Sequence, residues 1–550
     1  MMPEKINQFD AKVALAHLWM AFIAIFIGAT CGLFQGLVRG GVVVLPSWVS
    51  YYQLLTAHGV LLAIGFTTYF ILGFLYAGMS RTTGTFPHHL RKTAWLGFAS
   101  MTFGTIVATG FIIAGQATVL YTFYAPLKAS PWYYIGLALF IVGSLVTGFA
   151  MVFHYFGWRK QHKGQSTPIF GHMTVATIFL WAISCIGVVV TVLFQFIPWS
   201  FGWVPTINVV LSRTLFWYFG HPLVYFWLLP AYMAWYVVIP KIIGGKMFSD
   251  SLARLVFLLF ILFSIPVGAH HQLQEAGISQ GWKYLQVCLT TMVALPSLMT
   301  AFSMFATFEI AGRAKGAKGL FGWFKKLPYN DVRFLAPFIA MVFFIPGGAG
   351  GIVNNSAMDA MVHNTLWIVG HFHITVGTPV ALTFFGLTYW LIPYLTGRKL
   401  TPLMNKVGII QTVLWATGMA IMSTSMHLMG IAGVPRRTAY TTYGDHPTAL
   451  NWLSGHFASE HTMAVGGALL FMAAMLMVYI VLHLSFWAPK SDETEFPISE
   501  VASDAEHTPK LLENWKVWIA LCFILILIAY TIPVVDMINN GPGSPPIRTW

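Results

Sequence analysis

Apolar runs of about 20 residues or more, each long enough to cross roughly 30 Å of hydrocarbon as a helix, recur along the whole chain with short polar breaks between them. Thirteen are read, at 15–38, 54–79, 94–115, 133–156, 171–197, 208–239, 252–271, 283–312, 334–353, 361–394, 406–431, 460–486 and 514–537. The pattern predicts an all-α, polytopic membrane protein, a bundle of about thirteen transmembrane helices forming one unit over 1–550. A polar loop at 488–512 joins the last two spans. No repeat period and no low-complexity tract interrupts the pattern. The first run follows a short polar start with no small-residue cleavage site, so it is expected to be a retained helix.

Composition agrees with the pattern: 57% of the 550 residues are hydrophobic and 9% charged, against roughly 25% charged in soluble domains. A water-soluble enzyme is excluded. The formal charge of +13 comes from bases in the gaps between apolar runs, which fits a membrane face and lipid headgroups and not a nucleic acid. With alternating crossings, the N-terminus, the even-numbered loops and their adjoining helix ends hold 23 of the 30 Lys and Arg. The basic side faces the cytoplasm, so the N-terminus is expected inside and the C-terminus outside a prokaryotic cell membrane. Asp492, Glu493, Glu495, Glu500, Asp504 and Glu506 gather in the 488–512 loop, which reads as a solvated, mobile connector. The four cysteines are dispersed through apolar runs and read as packing residues, with no disulfide and no covalently attached heme.

Ionisable residues inside a span are costly and mark functional sites. Six histidines stand out: His58 in the second span, His221 in the sixth, His270 and His271 at the end of the seventh, and His371 and His373 in the tenth. Given the directions of these spans, all six fall in the outer half of the membrane. Imidazoles converging at one level are suited to a buried iron or copper centre. His371 and His373 are two residues apart, or about 200° around a helix, so they face opposite ways: one metal could not easily take both, but two groups flanking the helix could each take one. His270 and His271 are about 100° apart and reach one ion most readily where the helix is distorted; Pro266 gives a reason for distortion. Five other histidines (His88, His89, His154, His162, His172) lie near the inner edge or in loops and read as surface groups.

The segments GHPLVYFWLLPAY (Gly220 to Tyr232), His270-His271 and HFHITVG (His371 to Gly377) resemble the signature helices of the heme-copper oxidases. More closely, the sequence is similar to subunit I of the B-type cytochrome c oxidases, from the second span to the loop after the eleventh. The resemblance implies that His58 and His373 are the axial ligands of a low-spin heme, of b type, and that His371 is the proximal ligand of a high-spin heme, of a or o type. It implies that His221, His270 and His271 hold a copper ion, CuB.

Tyr225 lies four residues after His221, on the same helix face. The family's tyrosine at this position is bonded to the copper-ligand histidine and gives up an electron and a proton when the O–O bond breaks. Tyr232 and Tyr236 are about −20° and +20° from Tyr225 around the helix, so the three form one stripe leading inward, and Ser297 and Thr300 share a face of the eighth span. The resemblance makes these hydroxyls a proton channel. All 17 acidic residues fall in loops or near helix ends, with Glu309 and Glu460 coming closest to the membrane interior. That placement disfavours an ion-coupled transporter and the A-type layout with its glutamate-ended second channel. Arg436 and Arg437 resemble heme-propionate anchors, and Asp359 and His363 match the region where protons and water leave.

The resulting expectation is the catalytic subunit of a terminal respiratory oxidase. It reduces O2 to water with four electrons at the high-spin heme and CuB, takes protons from the cytoplasm and couples the reaction to proton translocation. With no cysteine-rich copper site in the chain, electrons are expected through a partner, a subunit II carrying CuA, from a cytochrome c-type donor in preference to a quinol. The nearest alternative is a nitric oxide reductase on the same scaffold, and a more distant one is a transporter without redox turnover.

Overall fold

A computed structural model describes residues 5–355, 357–439, 459–502 and 508–548. It contains thirteen helices long and apolar enough to cross a membrane: α1 Gln8–Arg39, α2 Tyr51–Thr83, α3 His88–Ile113, α4 Pro131–Gln161, α5 Ile169–Phe201, α6 Val209–Ile242, α7 Asp250–Gln272, α8 Gln280–Ala314, α9 Val332–Asn354, α10 Leu366–Thr396, α11 Pro402–Ile431, α12 Glu460–Trp487 and α13 Trp515–Asn540. Each coincides with one predicted span. Most begin earlier and end later than the apolar run, because a helix continues through the interfacial layers that a hydrocarbon-length criterion leaves out. The tenth departs most at its start: residues 361–365 do not join α10, and Asp359–Val362 forms a separate turn before it.

Contacts between loops establish the alternation of crossings. On one face, Lys5 pairs with Asp492 at 2.5 Å, Met247 bridges to Val501 and Arg398 to Lys490, and Arg254 and Arg159 meet Glu513. Those residues belong to the N-terminal segment, to loops that follow even-numbered helices or to the ends of helices bordering them. On the other face the segment after α13 pairs with the loops after α3 and α5: Ile547–Arg548 runs parallel to Leu127–Lys128, and Gly543–Ser544 runs antiparallel to Ile207–Asn208. Gln53 at the start of α2 reaches the end of α3 at Ile113, also on this face. No contact in either set joins loops of opposite parity.

Helices α2 and α6 form the inside of the bundle, and most of their side chains are buried, whereas α13 and α9 leave much apolar surface outward. Close helix approach depends on small residues where backbones meet. Several spans contain a π-helical turn, among them Val60–Phe66 just after His58 and His373–Gly377 at the histidine pair of α10. Such turns widen the helix locally and are frequent at functional sites.

Three details differ from the sequence reading. His172 is fully buried against Trp515, with ring centroids 4.7 Å apart, because the start of α13 folds over the inner end of α5. His154 is also buried, stacked on Phe86 at 4.1 Å and bonded to the Gly84 carbonyl. The loop after α12 is not a solvated connector over 488–502: Phe496 is 3% exposed and packs among Phe74, Phe170, Trp390 and Tyr394. One aromatic residue with a socket outweighs the solvation of the surrounding carboxylates. Asp504 and Glu506 lie outside the described residues.

Candidate functional site

His58 and His373 face one another across the gap between α2 and α10, with ring centroids 6.3 Å apart and planes 15° from parallel. Each ring is oriented by a backbone carbonyl. The Nδ1 of His58 lies 2.9 Å from the Gly28 oxygen on α1, and that of His373 lies 2.8 Å from the Val369 oxygen. A carbonyl accepts only, so both Nδ1 atoms carry the proton and both Nε2 lone pairs are free to bind a metal. Two opposed, nearly parallel imidazoles with free nitrogens are a pair that would hold one metal between them.

His371 turns the other way, toward α9. Its Nδ1 is 3.0 Å from the Thr375 hydroxyl, which itself donates to the Gly347 carbonyl at 3.0 Å. The hydroxyl proton is thereby committed to a carbonyl, so Thr375 accepts from His371 and Nε2 is again the free nitrogen. The expectation that His371 and His373 serve different sides of one helix agrees with these neighbours. His427 on α11 lies near both, and Trp367 packs edge-on against it at 4.6 Å.

The remaining three histidines converge. Ligand atoms of His221, His270 and His271 all lie within 4.8 Å of one another. Nδ1 of His221 and Nε2 of His271 are 3.1 Å apart. That separation is a hydrogen-bond distance between neutral imidazoles and also suits two nitrogens sharing one ion. The Nδ1 of His270 is engaged by the Val267 carbonyl and by the Thr290 hydroxyl at 2.7 Å, which leaves its Nε2 for the cluster. His271 lies flat on Trp217, with centroids 3.8 Å apart.

The α7 segment reaches this position because its helical geometry fails at Pro266 (φ −81°, ψ 26°), and Ile265–Gln272 continues as a 3-10 turn. Gly268 then sits directly on the Trp217 carbonyl of α6, where a β-carbon has no room. The predicted distortion at Pro266 is present. Neutral imidazoles in a buried pocket with converging nitrogens form a donor set for copper or iron, so the residues fit the group the resemblance implies.

Tyr225 is one turn beyond His221, with ring centroids 5.2 Å apart, and the buried Nε2 of His221 has no hydrogen-bond partner. From Tyr225 the hydroxyls descend along α6 and α8. Tyr232 lies beside Ser297, and the Tyr236 hydroxyl donates to Thr300 Oγ1 at 3.1 Å. Ser303, fully buried and next to Tyr236, extends the line. Sequence reasoning missed Ser303, although Ser297, Thr300 and Ser303 continue one i, i+3 row. It also missed Thr375, Thr290, Trp217 and His427, which hold or flank the ligands and whose residue types carry no signal without the fold. Among the described residues no carboxylate sits in the middle of a span.

On the face away from the N-terminal segment, Asp359 and His363 form a pair at 3.2 Å. Arg436 donates to Asn364 Oδ1 at 3.0 Å, and Arg437 lies over the Tyr124 ring at 4.8 Å. Burial, reinforced by the positive charge of Arg437, pushes Arg436 down to about 10, so it stays cationic at neutral pH. All fifteen residues singled out from the sequence therefore fall in two connected groups, a cluster above and a hydroxyl line below. The two arginines and the Asp359–His363 pair cap the cluster.

Comparison with known proteins agrees with this geometry. The family model described as "Cytochrome C and Quinol oxidase polypeptide I" matches residues 12–459. The chain is 39% identical over 556 residues to cytochrome c oxidase subunit 1 of Thermus thermophilus, covering 98% of this chain and 97% of that one. It is 28% identical over 445 residues to a heme-copper oxidase subunit I+III of Aeropyrum pernix, covering 76% of this chain and 51% of that one. The cryo-EM structure of a heme-copper terminal oxidase dimer superposes with a TM-score of 0.91 at 35% identity, over 98% of this chain and 95% of that chain.

Proposed function

Because the chain belongs to the cytochrome c and quinol oxidase polypeptide I family, it is the multi-pass catalytic subunit of a terminal oxidase, and we propose that its six histidines within the spans divide the cofactors among them. His58 and His373 would hold the low-spin heme, of b type, His371 the high-spin heme, and His221, His270 and His271 the copper ion CuB. The observation that carries this reading is the opposed orientation of His371 and His373. One faces α9 and the other faces His58. When bound, these groups supply electron relay, O2 coordination and the electrons for cleavage of the O–O bond.

The protein's own residues supply protons and order. Tyr225, beside a copper-ligand histidine whose second nitrogen is unpartnered, is the residue placed to give a proton and an electron as O2 is split. Tyr236, Thr300, Ser303, Ser297 and Tyr232 carry protons toward it from the basic face, which we assign to the cytoplasm. Arg436 and Arg437 would bind heme carboxylates, for which a guanidinium is suited, and Asp359 and His363 would line the exit on the opposite face. The hydroxyl line from Tyr236 to Tyr225 and the absence of a mid-span carboxylate among the described residues support the B-type class.

Subunit I of such oxidases works with a subunit II. We assign electron entry here to a CuA-bearing subunit II fed by a cytochrome c-type donor, in the cytoplasmic membrane of a prokaryote. Heme and metal analysis tests the cofactor assignment: this chain, freed of the subunit that carries CuA, is expected to hold two hemes and one copper, whereas two hemes with an extra non-heme iron and no copper would reassign the protein to nitric oxide reduction. Full-rate oxidation of cytochrome c by this chain alone would overturn the electron-entry assignment.

A further inference from the structure

The turn that carries His270 and His271 is held by two side chains outside the ligand set. Tyr530 on α13 accepts a hydrogen bond from the Gly268 N–H at 2.8 Å. Gln286 on α8, 1% exposed, accepts from the Ala269 N–H at 3.2 Å through Oε1 and donates to the Ala529 carbonyl at 3.2 Å through Nε2. Both attachments therefore end on adjacent residues of α13, where Tyr530 also packs on Tyr218 of α6 with ring centroids 5.1 Å apart. None of these atoms touches a metal-binding nitrogen.

Their effect follows from the local backbone. Pro266 breaks the α7 helix, and a proline there does not itself define where the chain goes next. A buried backbone N–H needs an acceptor, and Gln286 and Tyr530 present acceptors at one height along α6, where Gly268 rests on the Trp217 carbonyl. The following two residues are His270 and His271. A shift of the turn along α6 would carry both rings away from His221, four residues beyond Trp217, and open the 3.1 Å approach between His221 and His271.

We infer that Gln286 and Tyr530 are positioning residues for the copper-ligand pair, a two-point clamp that fixes the backbone before His270 and His271 against α6. This rests on the reading of His221, His270 and His271 as the copper site. The sequence reading gave neither residue a role, since an isolated Gln and a Tyr on the last helix match no metal motif.

The test uses the complete oxidase complex carrying Gln286→Met, Tyr530→Phe or both, equilibrated with a copper chelator and analysed for heme and for copper beyond that of CuA, which is counted separately from its own absorption. Loss of an outer-shell partner typically weakens metal binding about 10- to 100-fold. Each single variant is expected to lose copper at a chelator concentration about tenfold lower than wild type, the double variant at a lower one still. The low-spin heme spectrum stays unchanged, and the infrared band of carbon monoxide photolysed from heme onto copper shifts or broadens. Gln286→Glu, protonated in this apolar site, keeps both the acceptor and a donor and is expected to restore copper retention. Tyr530→Phe removes a single hydroxyl and keeps the inference testable if Gln286→Met does not assemble. Copper retention equal to wild type in both variants, or parallel loss of heme and copper, would overturn the clamp. A wild-type complex with no copper beyond that of CuA would instead overturn the reading of the site itself.

Discussion

A β-carbon on Gly32 of α1 would stand 2.6 Å from Nδ1 of His58 on α2. The ring has no easy retreat, because the same Nδ1 is bonded to the Gly28 carbonyl one turn earlier on α1. The missing side chain at position 32 is what lets one helix present a carbonyl to the imidazole while the other passes at close range.

Gly32→Ala is therefore expected to displace His58 and weaken the low-spin heme selectively. Absorption and heme quantitation of the purified variant should show loss of the low-spin bands, with the high-spin heme retained. Equal loss of both hemes would point to general misfolding instead.

Tyr225→Phe removes only a hydroxyl next to His221. O2 reduction should fall by at least about 100-fold, in the range for loss of a proton-transferring group, while both heme spectra persist. Turnover near wild type would remove Tyr225 from the chemistry.

Thr300 accepts the hydroxyl proton of Tyr236 at 3.1 Å, and Thr300→Val keeps its shape without that acceptor. Steady-state turnover should drop about tenfold, equal to about 1.4 kcal/mol of barrier, with heme content and reduction of the low-spin heme unaffected. Ser303→Ala should act in the same direction. A stopped-flow measurement that finds slowed heme reduction, and not slowed proton uptake, would refute the assignment.

Arg39 and Glu460 form an ion pair at 2.9 Å, with side chains 4% and 11% exposed. Arg39 also donates to the Pro435 and Thr438 carbonyls, on either side of Arg436 and Arg437. Arg39→Met leaves a carboxylate deep in the protein, a change that typically costs about 3–5 kcal/mol. The variant should unfold at a clearly lower temperature and hold its hemes less tightly; unchanged thermal stability would contradict the burial of this pair.

The number and order of helices were legible because bilayer thickness sets a minimum apolar length, and every one of the thirteen runs met it. The opposition of His371 and His373 was legible as well, since it follows from helical pitch alone. Tyr225, Tyr232 and Tyr236 shared a stripe for the same reason, and Pro266 announced the break before His270. These are relations within one element, where residue spacing fixes direction.

Relations between elements were decided by packing. Which carbonyl orients His58, which hydroxyl orients His371, and that Gln286 and Tyr530 grip the turn before His270 depend on which helices are neighbours and at what height they cross. The same holds for His154 and His172, which a linear reading puts at the surface and which α13 and the inner loops cover. Phe496 makes the point most plainly: in sequence it stands among carboxylates in a polar loop, and in the folded chain its ring fills an aromatic socket. Sequence alone determined the membrane-spanning pattern and the chemistry of the candidate ligands, because length, hydropathy and side-chain type are local properties. Only the tertiary structure decided what holds those ligands in place, because a hydrogen-bond partner from a distant helix leaves no periodic mark in the chain that it orients.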